Sequence, residues 1–146
     1  MVNLKEGKKV DAGLFSGSCL CARVKYTVAT HIDAFYFCHC AQCRKITGSA
    51  FAANILTKPA EVNWVTGFEW VKRFDYPGER VFTKVFCSHC GSGLPYLNDR
   101  GNALVIPAGS LDQSLDVTPN HNIFWADRAS WYEAGIGSPN CAGFSE

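Results

Sequence analysis

Seven of the eight cysteines in this 146-residue chain fall into three tight groups. Cys19 and Cys21 form a Cys-x-Cys, Cys38, Cys40 and Cys43 a Cys-x-Cys-x-x-Cys, and Cys87 and Cys90 a Cys-x-x-Cys. Thiols at such spacings are metal-ligand patterns, and a chain that uses them must fold so that remote segments meet at a metal. The stretch from Met1 to Lys9 has no apolar core of a secretory signal, so the expected compartment is the reducing cytoplasm. There, metal binding outranks disulfides as the use of clustered thiols.

In an extended strand, residues i and i+2 share a face. Cys19 and Cys21 are therefore expected to put both sulfurs on one side, with Leu20 on the other. Cys38 and Cys40 are expected to do the same, with His39 turned away. In Cys87-Ser88-His89-Cys90-Gly91 the chain turns between the thiols, and Gly91 can supply the positive φ of a zinc knuckle. Structural zinc takes four protein ligands, and catalytic zinc three plus a free position. The partition follows: Cys19, Cys21, Cys87 and Cys90 as a closed site, and Cys38, Cys40 and Cys43 as an open one. Joining the triplet to an outside thiol leaves an awkward remainder. Disulfides or buried small hydrophobes compete with this reading. A thioredoxin-like pair at Cys87 and Cys90 competes less well, because its flanks read as β and not βαβ. Cys141 is expected to be a silent tail thiol.

Hydrophobic residues make up 47% of the chain and charged residues 18%, the balance of a globular domain able to bury a core. The net charge of +1 excludes a chain-wide basic field for nucleic acid or anionic lipid. No apolar run reaches the length of a membrane span. The chain divides into a polar, flexible N-terminal arm (1–13), a zinc domain (14–133) and a Gly-, Ser- and Pro-rich tail (134–146). Strands are expected over Arg23 to Val28, Ala34 to Cys38, Phe51 to Thr57, Glu61 to Thr66, Phe68 to Tyr76 and Val81 to Phe86. A hairpin is expected around Asn98 to Asn102, and a last strand over Ile123 to Ala126. Gln42 to Gly48 can hold one helical turn, stopped by Gly48. The domain is thus mostly β.

His39 faces away from its flanking cysteines and is a poor ligand for the same metal. His31 and His89 read as solvated loop residues, and His121 as a hydrogen-bonded bystander. Arg44 and Lys45 follow the triplet and either offset its negative charge or form a solvated pair. Phe51, Trp64, Trp70, Trp125 and Trp131 can line a pocket, although aromatic residues in a β domain usually serve the core.

Five segments resemble the glutathione-dependent formaldehyde-activating enzyme (CENP-V/GFA) domain family. Gly17-Ser18-Cys19-Leu20-Cys21 through Tyr26 resembles its first signature. Cys38-His39-Cys40-Ala41-Gln42-Cys43-Arg44-Lys45 through Phe51 is similar to the central one. Arg80 through Phe86-Cys87-Ser88-His89-Cys90-Gly91-Ser92 resembles the third. Gly109-Ser110-Leu111-Asp112 and the stretch from Pro119 to Trp131 are similar to the C-terminal part. Ala22 departs from the pattern, which has Gly after the second cysteine. The resemblance implies a β-tent (Mss4-like) fold of twisted antiparallel sheets, with a structural zinc on Cys19, Cys21, Cys87 and Cys90 and a second zinc on Cys38, Cys40 and Cys43. It also implies carbon–sulfur lyase chemistry: reversible formation of S-(hydroxymethyl)glutathione from glutathione and formaldehyde.

The chemistry has a calculable ceiling. A free thiol of pKa about 8.5 is only about 3% thiolate at pH 7. Lowering that pKa by about two units raises the thiolate fraction roughly 25-fold. Nucleophilicity falls roughly 6–10-fold in the same step, so the net gain is a few-fold. Proximity in a pocket that holds thiol and aldehyde together must supply the rest. A lyase using Cys38, Cys40 and Cys43 therefore stands against a zinc-stabilised binding module that needs only the closed site, and against a thiol redox sensor at the triplet. The open site, with one ligand fewer, is expected to hold its zinc less firmly.

Overall fold

Alternating burial along short β-branched and aromatic runs builds three twisted sheets in the computed structural model, which describes residues 12–145. The strands are β1 (Gly13–Ser18), β2 (Lys25–Thr30), β3 (Ala34–Cys38), β4 (Ala52–Thr57), β5 (Asn63–Thr66), β6 (Val71–Tyr76), β7 (Phe82–Cys87), β8 (Gly93–Leu94), β9 (Tyr96–Leu97), β10 (Leu104–Pro107) and β11 (His121–Ile123). Among the described residues, two short helices, α1 (Ala41–Thr47) and α2 (Tyr132–Ile136), complete the regular structure with three 3-10 turns. None of the described helices is long and apolar enough to cross a membrane.

The first sheet runs β1-β2-β5, the second β11-β3-β4-β10-β9 and the third β6-β7-β8. Pairing is antiparallel except at β11, which lies parallel to β3 with Ile123 opposite Cys38. Phe15, Tyr26 and Val28 from the first sheet meet Ile55, Leu104 and Ile106 from the second, and Val85 and Leu94 from the third. Each large apolar side chain taken out of water here contributes about 1.5–3 kcal/mol. Gly17 faces Tyr26 across β1 and β2, and a Cβ there would stand 2.3 Å from the Tyr26 ring. The missing side chain lets that ring lie over the sheet and reach Ser110, whose Oγ is 2.6 Å from the Tyr26 hydroxyl.

The expected strand over Ala34 to Cys38 matches β3, and the helical turn ahead of Gly48 is α1. Gly48 adopts φ +62° and donates its N–H to the Arg44 carbonyl, closing the helix. The strand expected to begin at Phe68 starts at Val71, because Gly67, with φ +76°, launches a 3-10 turn over Phe68–Trp70. The strand expected over Ile123 to Ala126 ends at Ile123 instead. Phe124 takes the left-handed conformation, φ +54°, and another 3-10 turn, over Trp125–Asp127, follows. Of the expected arm, residues 1–11 lie outside the described residues, and Gly13 opens β1. α2 crosses the expected start of the tail at 134.

Candidate metal centres

The fold gathers the seven grouped cysteines into two clusters: Cys19, Cys21, Cys87 and Cys90 in one, Cys38, Cys40 and Cys43 in the other. In each, the sulfurs all lie within 4.8 Å of one another. Cys141 is exposed and belongs to neither.

The four-cysteine cluster stands where two turns meet. The expectation that Cys19, Leu20 and Cys21 lie on a strand is corrected: β1 ends at Ser18, and the chain turns so that the Ala22 N–H donates to the Cys19 carbonyl at 2.9 Å. Ala22 pays for that turn with φ +60°. The Val24 N–H points at the Cys19 Sγ, 3.3 Å away. The second turn follows β7. Gly91 takes the expected positive φ, +79°, and donates its N–H to the Cys87 carbonyl at 2.7 Å. Ser92 links the turns: its Oγ accepts from the Leu20 N–H at 3.0 Å and lies 3.2 Å from the Cys90 Sγ. The Ser92 hydroxyl, donating to that sulfur, pulls the Cys90 pKa down to about 5. Sulfurs at 3.4 Å (Cys19 to Cys21) and 3.9 Å (Cys21 to Cys87) bracket the edge, about 3.8 Å, of a tetrahedron with metal–sulfur bonds of about 2.3 Å. The donor set therefore fits a four-coordinate thiophilic cation.

The triplet also departs from a strand plate. Cys38 is the last residue of β3, but Cys40 is the N-cap of α1, and its Sγ accepts from the Cys43 N–H at 3.4 Å. One helical turn then returns Cys43 to the other two sulfurs. All three are buried. Unaided, buried thiols this close cannot all ionise. The Cys43 thiol donates to Cys38, which lowers the Cys38 pKa to about 6 and drives that of Cys43 far up. Arg80 adds a positive charge that favours the Cys38 thiolate. A divalent cation allows all three to ionise, so this donor set too fits a metal.

His39 is wholly buried beside the triplet and outside the ligand cluster. Its Nε2 lies 2.8 Å from the Asn122 Oδ1, and its ring is enclosed by Phe51, Trp125 and Tyr132. β11 thus clasps the segment that carries Cys38. His121, on the same strand, packs against Tyr36. His89 is exposed and meets Trp70 edge-on. Arg44 spends its guanidinium on the Asp127 carbonyl at 2.8 Å. Lys45 lines an apolar hollow with Phe74, Tyr76 and Phe82. Of the aromatic candidates, only Phe51 lines the cavity against Cys43. Trp64 and Trp70 pack on the main core, and Trp131 is largely exposed.

That cavity, ≈ 130 Å³, is bounded by Cys43, Phe51 and Phe82, with Asn54, Lys84 and Tyr96 supplying polar groups. The sequence reading missed these last three, which come from β4, β7 and β9. Burial raises the Tyr96 pKa, so its hydroxyl keeps its proton and stays a donor. The one local cue was at Lys84, a lysine alternating with Phe82 and Phe86 along one face of a strand.

The family model described as "Glutathione-dependent formaldehyde-activating enzyme" matches residues 14–127. Among solved structures, the chain is similar to a protein of Rhodobacter sphaeroides determined as a structural-genomics target. The two share 18% identity, over 69% of this chain and 91% of that one, with a TM-score of 0.54. That likeness is one of fold. No curated protein matches the chain.

Proposed function

Because the chain belongs to the family of glutathione-dependent formaldehyde-activating enzymes, we propose that it adds a small thiol reversibly to a small aldehyde at Cys38, Cys40 and Cys43. The observation that carries this reading is the cavity against Cys43, which brings open space and polar groups to a three-sulfur cluster. Zinc is the cation proposed for both clusters, structural at Cys19, Cys21, Cys87 and Cys90. Held by Cys38, Cys40 and Cys43, a zinc ion would supply Lewis acidity that lowers the pKa of a substrate thiol.

The chain's own residues do the rest. Cys38, Cys40 and Cys43 fix the place where the substrate sulfur is held. Phe51, Phe82 and Ala52 wall that place with apolar surface. The substrate sulfur attacks the carbonyl carbon, a carbon–sulfur bond forms, and the carbonyl π pair moves to oxygen. That oxygen takes up one proton, balancing the one the thiol released on ionising, and becomes the hydroxyl of the adduct. Tyr96, one of the donors that line the cavity, is assigned to the developing oxyanion. The reverse path breaks the same bond and returns thiol and aldehyde. The β-tent (Mss4-like) architecture and a cytoplasmic setting belong to the same reading.

A zinc-stabilised binding module without chemistry draws support from the burial of all three triplet sulfurs. Exchange NMR separates the two readings, with glutathione and formaldehyde as the first pair. The zinc-loaded wild type should speed both formation and breakdown of the adduct over the protein-free rates, and Cys43→Ser should not. Equal rates in all three samples, with metal verified at the wild-type triplet and several thiols tried, would establish the module instead.

A further inference from the structure

Lys84 projects from β7 between the two cysteine clusters, and no reading so far gives it a task. Its side chain lies over Gly93 of β8, where a Cβ would stand 2.6 Å from the Lys84 Nζ. The lysine is half-buried, yet it makes no hydrogen bond or ion pair with any described residue. A half-buried ammonium with no hydrogen-bonded partner is costly to maintain, and such groups are kept where a ligand or a neighbouring anion supplies the counter-charge. Burial lowers the Lys84 pKa, while the nearby Cys43 sulfur acts in the opposite sense and favours the charged amine.

The position of the ammonium is informative. Lys84, Pro107 and Gly109 line the cavity against Cys43, and the same three residues line a second, larger hollow of ≈ 520 Å³. That hollow runs outward past Ser18, Leu20, Ser92 and Asp112. Lys84 therefore stands at the junction of a small chamber at the triplet and a wider groove. The chamber suits a sulfur and an aldehyde, and the groove accommodates a peptide-sized remainder. Asp112, whose Oδ1 accepts from the Ser18 hydroxyl at 2.5 Å, lines only the outer hollow. Among the described residues, Lys84 is the one cationic residue in the lining of either hollow.

We infer that Lys84 is a specificity-determining residue that anchors a carboxylate of the thiol substrate, so that the site selects thiols bearing a carboxylate over neutral thiols of the same size. This rests on the reading of the triplet as the thiol site. It places the substrate sulfur in the inner chamber and lays the rest of the molecule along the groove beyond Lys84.

The test uses cobalt-loaded protein, in which a thiol arriving at the triplet changes the cobalt spectrum. Glutathione is titrated against its diethyl ester, and 3-mercaptopropionate against its methyl ester, with wild type, Lys84→Gln and Lys84→Arg. A charge-assisted bond of this kind predicts that wild type binds each acid roughly ten- to a hundred-fold more tightly than its ester. Lys84→Gln should lose that preference by weakening the acids alone, and Lys84→Arg should keep most of it. Comparing ratios between variants cancels the difference in thiol acidity between acid and ester. Gly93→Ala, which displaces the lysine head without removing it, should reduce the preference while the esters bind as before. An acid-to-ester ratio in Lys84→Gln equal to that of wild type overturns the assignment and leaves the thiol site standing. A cobalt spectrum that no thiol perturbs overturns the thiol site, and the assignment of Lys84 with it.

Discussion

Cys21 and Cys87 meet across 66 positions of sequence, whereas Cys38, Cys40 and Cys43 lie within the single segment 38–43. The first cluster joins the end of β1 to the end of β7, strands of different sheets. Its Cys19 and Cys87 are part of the main core, packed among Val24, Tyr26 and Leu94. The triplet forms a small apolar cluster of its own, with Ala52, Phe82 and Ile123 against it. The same ligand chemistry would thus do two different things. A cation between remote turns closes a long loop and holds two sheets together. A cation within one turn-and-helix segment constrains little beyond that segment. The remote cluster can therefore serve the fold while the triplet remains free for chemistry.

The largest expected effect comes from breaking the remote cluster. Structural zinc contributes about 10–16 kcal/mol to the folding of small zinc-finger peptides. Whole domains are stable by only about 5–15 kcal/mol. Cys87→Ser or Cys19→Ser should consequently abolish the cooperative thermal transition. Cys43→Ser should keep that transition within about 0.5–3 kcal/mol of wild type and lose the triplet metal alone. Circular dichroism with metal analysis reads both. The contrast between the clusters fails if Cys43→Ser unfolds the protein while Cys87→Ser leaves it folded.

A second, smaller effect concerns the order of metal loss. Graded chelation should strip the triplet first, because it offers one thiolate fewer and adjoins an open cavity. Near-UV circular dichroism should change little in that step and collapse in the next. Alkylation followed by peptide mapping should label Cys38, Cys40 and Cys43 ahead of Cys19, Cys21, Cys87 and Cys90. Labelling in the reverse order would show that the remote cluster holds its metal more weakly.

The division of the seven thiols was legible because ligand number is a matter of counting, and the Gly91 turn was legible because only glycine adopts that φ freely. The geometry of the Cys-x-Cys pairs was not. Period-two alternation holds only inside a paired strand, and both pairs fall where pairing stops: Cys21 on a turn, Cys40 at a helix cap. Arg44 is next to Cys43 in sequence but reaches toward Asp127, whereas Arg80, remote in sequence, supplies the charge that favours the Cys38 thiolate. Asn54, Lys84 and Tyr96 converge only once β4, β7 and β9 have been arranged across two sheets, and no local pattern encodes that arrangement.

The finest test lies within the remote cluster, whose two turns solve the same problem with different residues. Each passes through the left-handed region just after its second cysteine, at Ala22 (φ +60°) and at Gly91 (φ +79°). Ala22 is exposed, and a Cβ on Gly91 would meet nothing within 4 Å, so packing is absent from both comparisons. A non-glycine residue in this region is strained by about 1–2 kcal/mol, and the greater freedom of glycine in the unfolded chain offsets about 0.5–1 kcal/mol of the relief. Ala22→Gly should therefore stabilise the metal-loaded protein by about 0.5–1 kcal/mol, raising Tm by a few degrees, and Gly91→Ala should lower it by a similar amount. Neither change should alter the metal content or the thiol response of the triplet, which shares no backbone with these turns. A Tm unchanged in both variants would show that neither turn holds strain that glycine relieves.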